Sequence, residues 1–273
     1  MVLHPISSGD PDASSRQSNS GSAWEVVEKQ QKENAQEWWL IAQPDHAALA
    51  GDLAALLDAP SVPDLDEPLL RAISLHDSGW AQFDGGERGT GRELEVSLRD
   101  PKTDAEGKPL SFLEMSVEEF LLAWETSIAN AANASPAGGA VVSEHFCRLT
   151  RTRLQSHSDA AQERGRLHDF LTRQRDLQAT LLSRHGRPAD EIAILTDVLQ
   201  FCDLLSLYLC CGAEERVTFP QSFGGKSISI SRKDGMYQLE PSILGNGGSL
   251  GVTARRFPQA GALEIGTLAF LIQ

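Results

Sequence analysis

Five polar residues occupy positions where the surrounding pattern predicts apolar side chains or a simple helix end. His46 lies in Q-P-D-H at the start of a predicted helix, and the pair His76-Asp77 ends a second helix in I-S-L-H-D-S-G-W. His145 interrupts the apolar pattern V-V-S-E-H-F, and Asp203 interrupts F-C-D-L-L-S-L in the most apolar helical run of the chain. A buried carboxylate is costly unless it is paired or bound to a metal, so Asp203 requires a partner.

Imidazole nitrogens and carboxylate oxygens that converge on one point are typical ligands of hard or borderline divalent cations. The sequence therefore offers a metal site built from His46, His76, Asp77, His145 and Asp203. The alternative is a structural polar network, in which the same groups bind one another without a metal. His145 has a further alternative, because a histidine on an apolar helix face is often a core residue whose ring nitrogens are satisfied locally.

The order His, His-Asp, His, Asp on successive helices resembles the HD-domain superfamily of metal-dependent phosphohydrolases. The resemblance implies a helical bundle whose core holds one or two divalent metal ions, of Fe, Mn, Zn, Ni or Mg. It places His46, His76, Asp77 and Asp203 in the primary four-residue site and gives His145 the place of an extra ligand for a second metal. It also makes Asp77 and His145 the expected catalytic residues, with His145 binding that second metal or orienting the attacking water.

A wider set of motifs, Q-P-D-H, H-D-S-G-W, S-E-H and D-L-L-S-L-Y-L-C, resembles a bacterial family of HD-like proteins without an established activity. This second resemblance covers most of residues 38–273. The chain departs from the two-metal HD pattern, which supplies two histidines between the His-Asp pair and the final Asp. Here His145 lies in an apolar helical context, whereas His157, His168 and His185 lie in charged stretches. The site would hold one metal, or a second metal with a water-rich shell.

The activity implied by the resemblance is metal-dependent hydrolysis of a nucleotide or another small phosphoester, with water activated by the metal. Two alternatives stay open at this point. One is a di-iron oxygenase of the HD type, which iron content and an iron-dependent optical spectrum would reveal. The other is a catalytically inactive HD-like protein that binds a ligand or partner, which would bind metal without turnover of phosphoesters.

The composition narrows the classes of partner. The chain has 273 residues, 41% of them hydrophobic, and a formal net charge of −14. This charge argues against a nucleic-acid or anionic-membrane surface, because both require basic patches, but it allows a small phosphoester bound through a metal. We find no signal-peptide core and no apolar run near the roughly 20 residues of a membrane span. Four cysteines without disulfide or zinc spacing indicate reduced thiols in a cytoplasmic protein.

Helical patterns account for most of the chain from Q-P-D-H to residue 212, and alternating patterns follow them. Helices are predicted from Q-P-D-H onward, over about 67–76, 116–134 and 159–184, from Pro136, and from Pro188 to Gly212. Strands are predicted at 24–29, at 38–42, and in S-I-S-I-S-R, M-Y-Q-L-E, G-V-T-A-R-R and L-A-F-L-I-Q.

The fold class expected from these patterns is mainly α, an HD-like helical bundle with an appended antiparallel β module formed by the C-terminal and N-terminal strands. Residues 1–21 are expected to be disordered, because they are rich in Ser, Gly, Asp and Pro. The helical domain, with two short N-terminal strands, would span 22–212, and the β module over 213–273 would pack on it. A long loop is expected over 84–111.

Overall fold

The computed structural model describes residues 1–6, 21–84, 100–245, 247–258 and 264–273, which form eight α-helices and eight β-strands. The helices are α1 (Ala23–Gln31), α2 (Gln43–Ala55), α3 (Glu67–Ser74), α4 (Ala81–Asp84), α5 (Val117–Ala134), α6 (Pro136–Ser156), α7 (Ala161–His185) and α8 (Ala189–Cys210). The strands are β1 (Val2–Pro5), β2 (Gly21–Ser22), β3 (Trp38–Ile41), β4 (Val217–Phe223), β5 (Lys226–Lys233), β6 (Met236–Glu240), β7 (Gly248–Phe257) and β8 (Ile265–Ile272).

The strands belong to one mixed sheet with the order β1-β3-β7-β8-β6-β5-β4-β2. Neighbouring strands are antiparallel except for the β6–β8 and β2–β4 pairs, which are parallel. The expected mainly α bundle with an appended antiparallel β module is therefore wrong. The fold is mixed α/β, and its sheet unites strands from both ends of the chain. Alternation within single segments could not reveal this, because the pairing joins strands that are far apart in sequence.

The N-terminal region differs from its prediction in two places. Val2–Pro5, which the composition assigned to a disordered segment, form β1 and pair with β3. W-E-V-V-E-K, predicted as a strand, lies in α1, because Ser22 and Glu25 form a capping box and Ala23, Val26 and Val27 share a buried face at helical spacing. Residues 7–20 of the expected disordered segment and 85–99 of the expected loop lie outside the described residues.

The predicted helices from Q-P-D-H onward are confirmed as α2, α3, α5, α6, α7 and α8. A capping box between Ser116 and Glu119 is present at the start of α5. α2 begins after Ala42 and has no side-chain cap. β4 was not predicted, since Pro220 interrupts its pattern, and the register of β4 against β5 shifts between Thr218 and Ser222.

One main apolar core joins the helices to the sheet, and α8 lies at its centre. α8 packs against α2 and α6 on one side and against β1 and β4 on the other. Leu199, Phe201 and Tyr208 on α8 are fully buried. Among the described helices, α8 alone is long and apolar enough to cross a membrane by length and composition, and most of it is buried inside the fold.

A short 3-10 turn, Ser78–Trp80, follows the His76-Asp77 pair and packs closely on α5. The backbone N–H of Gly79 donates a hydrogen bond of 2.9 Å to Ser127 Oγ. A Cβ atom at position 79 would overlap the backbone carbonyl of Ala123. This close approach fixes the turn on α5, and with it the position of the two residues before it.

We expect Gly79→Ala to lower the free energy of unfolding by about 1–3 kcal/mol, because the added methyl group forces the turn away from α5. Chemical denaturation measures this change. The control is Gly165→Ala in α7, where no atom lies within 4 Å of the added Cβ. That variant should be neutral, or more stable by up to about 1 kcal/mol, since alanine is the better helix former. Equal effects of the two substitutions would contradict the close packing.

Candidate metal centre

Separate elements bring the five predicted ligands together. His46 lies near the start of α2, and His76 and Asp77 form the turn that follows α3. His145 lies on α6 and Asp203 on α8. α2 packs against α3 and α8, and α6 packs against α3 and α8, so these residues converge although they are far apart in the chain.

The tightest group consists of His46, His76 and Asp77, whose candidate ligand atoms all lie within 4.8 Å of one another. His46 Nε2 is 2.9 Å from Asp77 Oδ2, and His76 Nε2 is 3.9 Å from the same oxygen. Asp203 adjoins this group, with Oδ1 at 3.2 Å from His76 Nε2. His145 lies at its edge, with Nε2 at 3.8 Å from Asp203 Oδ2.

The hydrogen-bond partners of the Nδ1 atoms fix the tautomers of His46 and His76. His76 Nδ1 is 2.9 Å from the carbonyl oxygen of Ile73, which accepts only, so Nδ1 carries a proton. His46 Nδ1 is 3.0 Å from Ser206 Oγ. The Ser206 hydroxyl already donates its proton to the carbonyl of Asp203, so Oγ accepts from His46 Nδ1. Both rings therefore present Nε2 to the carboxylates, and in a neutral ring that nitrogen carries a lone pair.

Nε2 of each ring thus faces a carboxylate oxygen. The lone pair of a neutral Nε2 and the lone pairs of that oxygen repel each other unless a positive charge lies between them. At His76, a proton fills this role when no metal is bound. Burial disfavours the charged ring, but the hydrogen bond to Asp203 and the charges of Asp77 and Asp203 raise the pKa of His76 to about 9. Burial also opposes the ionised form of Asp203, but His76 lowers the pKa of this carboxyl to about 2.

The donor set fits a divalent cation. It combines imidazole nitrogens with carboxylate oxygens, which suits metals such as Zn, Fe, Ni and Mn. Asp77 Oδ1 and His145 Nδ1 are buried, and neither has a hydrogen-bond partner among the described residues. Buried polar atoms without partners are rare in folded proteins, and a cation or water bound at the cluster would satisfy Asp77 Oδ1. The hydrogen bonds to both Nδ1 atoms match the arrangement that orients metal-binding histidines.

His145 differs from the other two histidines. Burial is the main cause that lowers the pKa of His145 to about 4, so its ring is neutral at pH 7. Its ring packs edge-on against His76, with centroids 5.7 Å apart, and against Phe146. His157 and His168 are exposed and do not join the cluster. The side chain of His185 lies outside the described residues.

Access to the cluster is through the two carboxylates. The side chains of Asp77 and Asp203 are 11% and 14% exposed, whereas those of His46, His76 and His145 are exposed by at most 2%. A cation or a substrate arriving from solvent would therefore meet the carboxylate edge first. The histidines form the closed, inner side of the site.

Sequence reasoning missed two supporting residues. Ser206, three residues after Asp203 on the same helix, looked like an ordinary hydroxyl in an apolar run, and its spacing from Asp203 was the available signal. Asp84, the first residue of the expected long loop, is buried, and its Oδ2 accepts the backbone N–H of Gln43 at 3.1 Å. Asp84 thereby supports the start of α2, three residues before His46.

Comparison with known proteins identifies a family whose function is unknown. Residues 31–247 match the family model described as "Protein of unknown function (DUF3891)". The chain belongs to this family. The matched segment contains all five predicted ligands, so the cluster lies within the region that defines membership. No curated protein and no solved structure matches the chain.

We expect Ser206→Ala to weaken divalent-cation binding by about 10-fold or more, because His46 loses the acceptor that fixes its tautomer. Isothermal titration of the metal-free protein with Mn²⁺ or Zn²⁺ measures the affinity. Ser143→Ala is the matched control, because Ser143 is a fully buried helical serine whose hydroxyl binds Gln174 and Gln178 instead. Equal affinities in the two variants would contradict the orienting role of Ser206.

Proposed function

We propose that the protein is a metal-dependent hydrolase of a small phosphoester or nucleotide. The observation that carries this proposal is the meeting of two oriented Nε2 atoms with two carboxylates at one buried point. Beside them lies Asp77 Oδ1, which has no hydrogen-bond partner among the residues that the structure describes. The order of these ligands along the chain, which resembles the HD superfamily, supports the same conclusion.

His46, His76, Asp77 and Asp203 would hold the cation. A divalent cation supplies Lewis acidity, which lowers the pKa of a water molecule and draws charge from a phosphoryl oxygen. The chain contributes the fixed orientation of these ligands, through Ile73 and Ser206. Preorganised ligands lose little free energy to rearrangement when the cation binds.

The charge of the site explains why a phosphoester would need the cation. Asp77 and Asp203 both face the accessible side of the cluster. Without a cation, two carboxylates in a chain of net charge −14 repel an anionic substrate. With a divalent cation, the charge of the two carboxylates is balanced and phosphate oxygens have a positive partner.

His145 would act on the attacking water. Its Nδ1 is buried and has no hydrogen-bond partner in the described part of the chain, and its Nε2 lies 3.8 Å from Asp203. Nε2 is therefore the nitrogen that faces the ligands, and it would hydrogen-bond to a water molecule beside them. The ring would then fix the direction from which the water attacks phosphorus.

We expect hydrolysis of at least one member of a panel of phosphomonoesters, phosphodiesters and nucleotides, and only when Mn²⁺, Fe²⁺, Zn²⁺ or Ni²⁺ is present. Phosphorus NMR detects the product in each case, which is a phosphomonoester from a diester and inorganic phosphate from a monoester. Asp77→Asn should reduce turnover to the metal-free level, whereas Asp176→Asn, at an exposed position on α7, should leave it unchanged.

Other outcomes of the same experiment would reject hydrolysis. Oxygen consumption by the iron-loaded protein, without hydrolysis of any phosphoester, would indicate a di-iron oxygenase. Tight metal binding without turnover of any substrate would indicate a ligand-binding or partner-binding role.

A further inference from the structure

The guanidinium group of Arg148, on α6, lies at the interface between α6 and α8 near the candidate metal centre. We propose that Arg148 forms a second anion-binding position beside this centre, so that the substrate carries a second phosphate adjacent to the one attacked. This inference rests on the proposed hydrolase function and narrows its substrate class to small molecules with a diphosphate group.

The helical positions place Arg148 close to the ligands. Arg148 follows His145 by three residues on α6, and Gln200 precedes Asp203 by three residues on α8. Arg148 Nη1 donates to Gln200 Oε1 at 2.8 Å, which ties the two positions together across the seam. The guanidinium also contacts Asp197 Oδ1 and the carbonyl of Ala193. Since Asp197 precedes Asp203 by six residues, or about 9 Å along α8, the guanidinium lies within about two helical turns of Asp203.

The electrostatics agree with this placement. The charge of Arg148 acts on His145 in the same direction as burial, which is the main cause of the low pKa of that ring. A group whose charge reaches His145 would also act on an anion held at the neighbouring carboxylates. A phosphate beside the one bound at the cation would therefore lie in the field of Arg148.

A ligand at Arg148 would have to replace part of its present bonding. Besides Gln200, Asp197 and Glu144, the guanidinium contacts the carbonyl of Ala193, with Nη2 at 3.4 Å. The Arg148 side chain is 28% exposed, and its Nη1 pairs at 2.5 Å with Asp197, which is 46% exposed. An ion pair this exposed contributes little to stability, so Asp197 is easily displaced. Glu144 Oε1, 3.4 Å from Nε, holds the other side of the guanidinium in place.

The chemistry of arginine favours the replacement of Asp197 by a phosphate group as the partner of Arg148. Its planar guanidinium matches two phosphate oxygens at once, and hydrogen bonds between such charged groups are the strong ones. A lysine ammonium lacks this paired geometry. The neighbouring Arg151 also pairs with Glu144, at 2.9 Å, but its side chain is 51% exposed. Arg151 therefore provides a matched control on the same helix.

The test compares two probes on the Mn²⁺-loaded protein, in buffer that holds Mn²⁺ in excess. Inorganic phosphate offers one phosphoryl group, and methylenediphosphonate offers two joined by a bridge that cannot be hydrolysed. Isothermal titration should show that the wild type prefers the diphosphonate. Arg148→Gln should lose about tenfold of that preference, as expected for one charge-assisted contact, while Arg151→Gln keeps it.

Each contrary result has a separate meaning. A preference that persists in Arg148→Gln, or a wild type that binds both probes equally, would overturn the second anion position and leave the hydrolase proposal standing. A wild type that binds neither Mn²⁺ nor phosphate would overturn the proposed function and this inference with it. If thermal unfolding shows that Arg148→Gln does not fold, Arg148→Lys replaces it, and a full diphosphonate preference in that variant would count against the paired contact.

Discussion

The arrangement of the centre depends on which nitrogen of each histidine carries its proton. The carbonyl of Ile73 and the hydroxyl of Ser206 each take an Nδ1–H, so Nε2 of His76 and of His46 must face Asp203 and Asp77. Such an arrangement holds together only around positive charge, whether protons or a metal cation. A simple structural network would more readily pair a neutral donor with an acceptor, and it would not leave Asp77 Oδ1 buried without a partner in the described structure.

The fold holds the histidines and carboxylates in this arrangement by packing four elements together: α2, the turn after α3, α6 and α8. α8 carries both Asp203 and Ser206 through the middle of the core, and it packs on the sheet as well as on α2 and α6. The turn that carries His76 and Asp77 is held on α5 by the close approach of Gly79. Since the sheet includes strands from both ends of the chain, the helices that bear the ligands and the strands that support them share one core.

The convergence of the five polar residues could be predicted from the sequence better than the fold. An aspartate within F-C-D-L-L-S-L stands out because burial without a partner is so costly, and the structure gives Asp203 the histidines it requires. The helices were also predictable, since their periodicity and caps are local. The sheet order was not predictable, because it depends on contacts between distant segments. β4 was not predicted, because Pro220 interrupts its strand pattern. The role of Ser206 was equally hidden, since a helical hydroxyl commonly satisfies itself on its own backbone.

The most direct test of the central claim is the metal content of the purified protein, measured by mass spectrometry beside Asp77→Ala, Asp203→Ala and the surface control Asp176→Ala. We expect about one or two equivalents of Fe, Mn, Zn or Ni in the wild type and in the control, and loss of the metal from the two ligand variants. A wild type that is free of metal, takes up none when metal is added, and is as stable in chelator as without it would show that protons alone hold the cluster together.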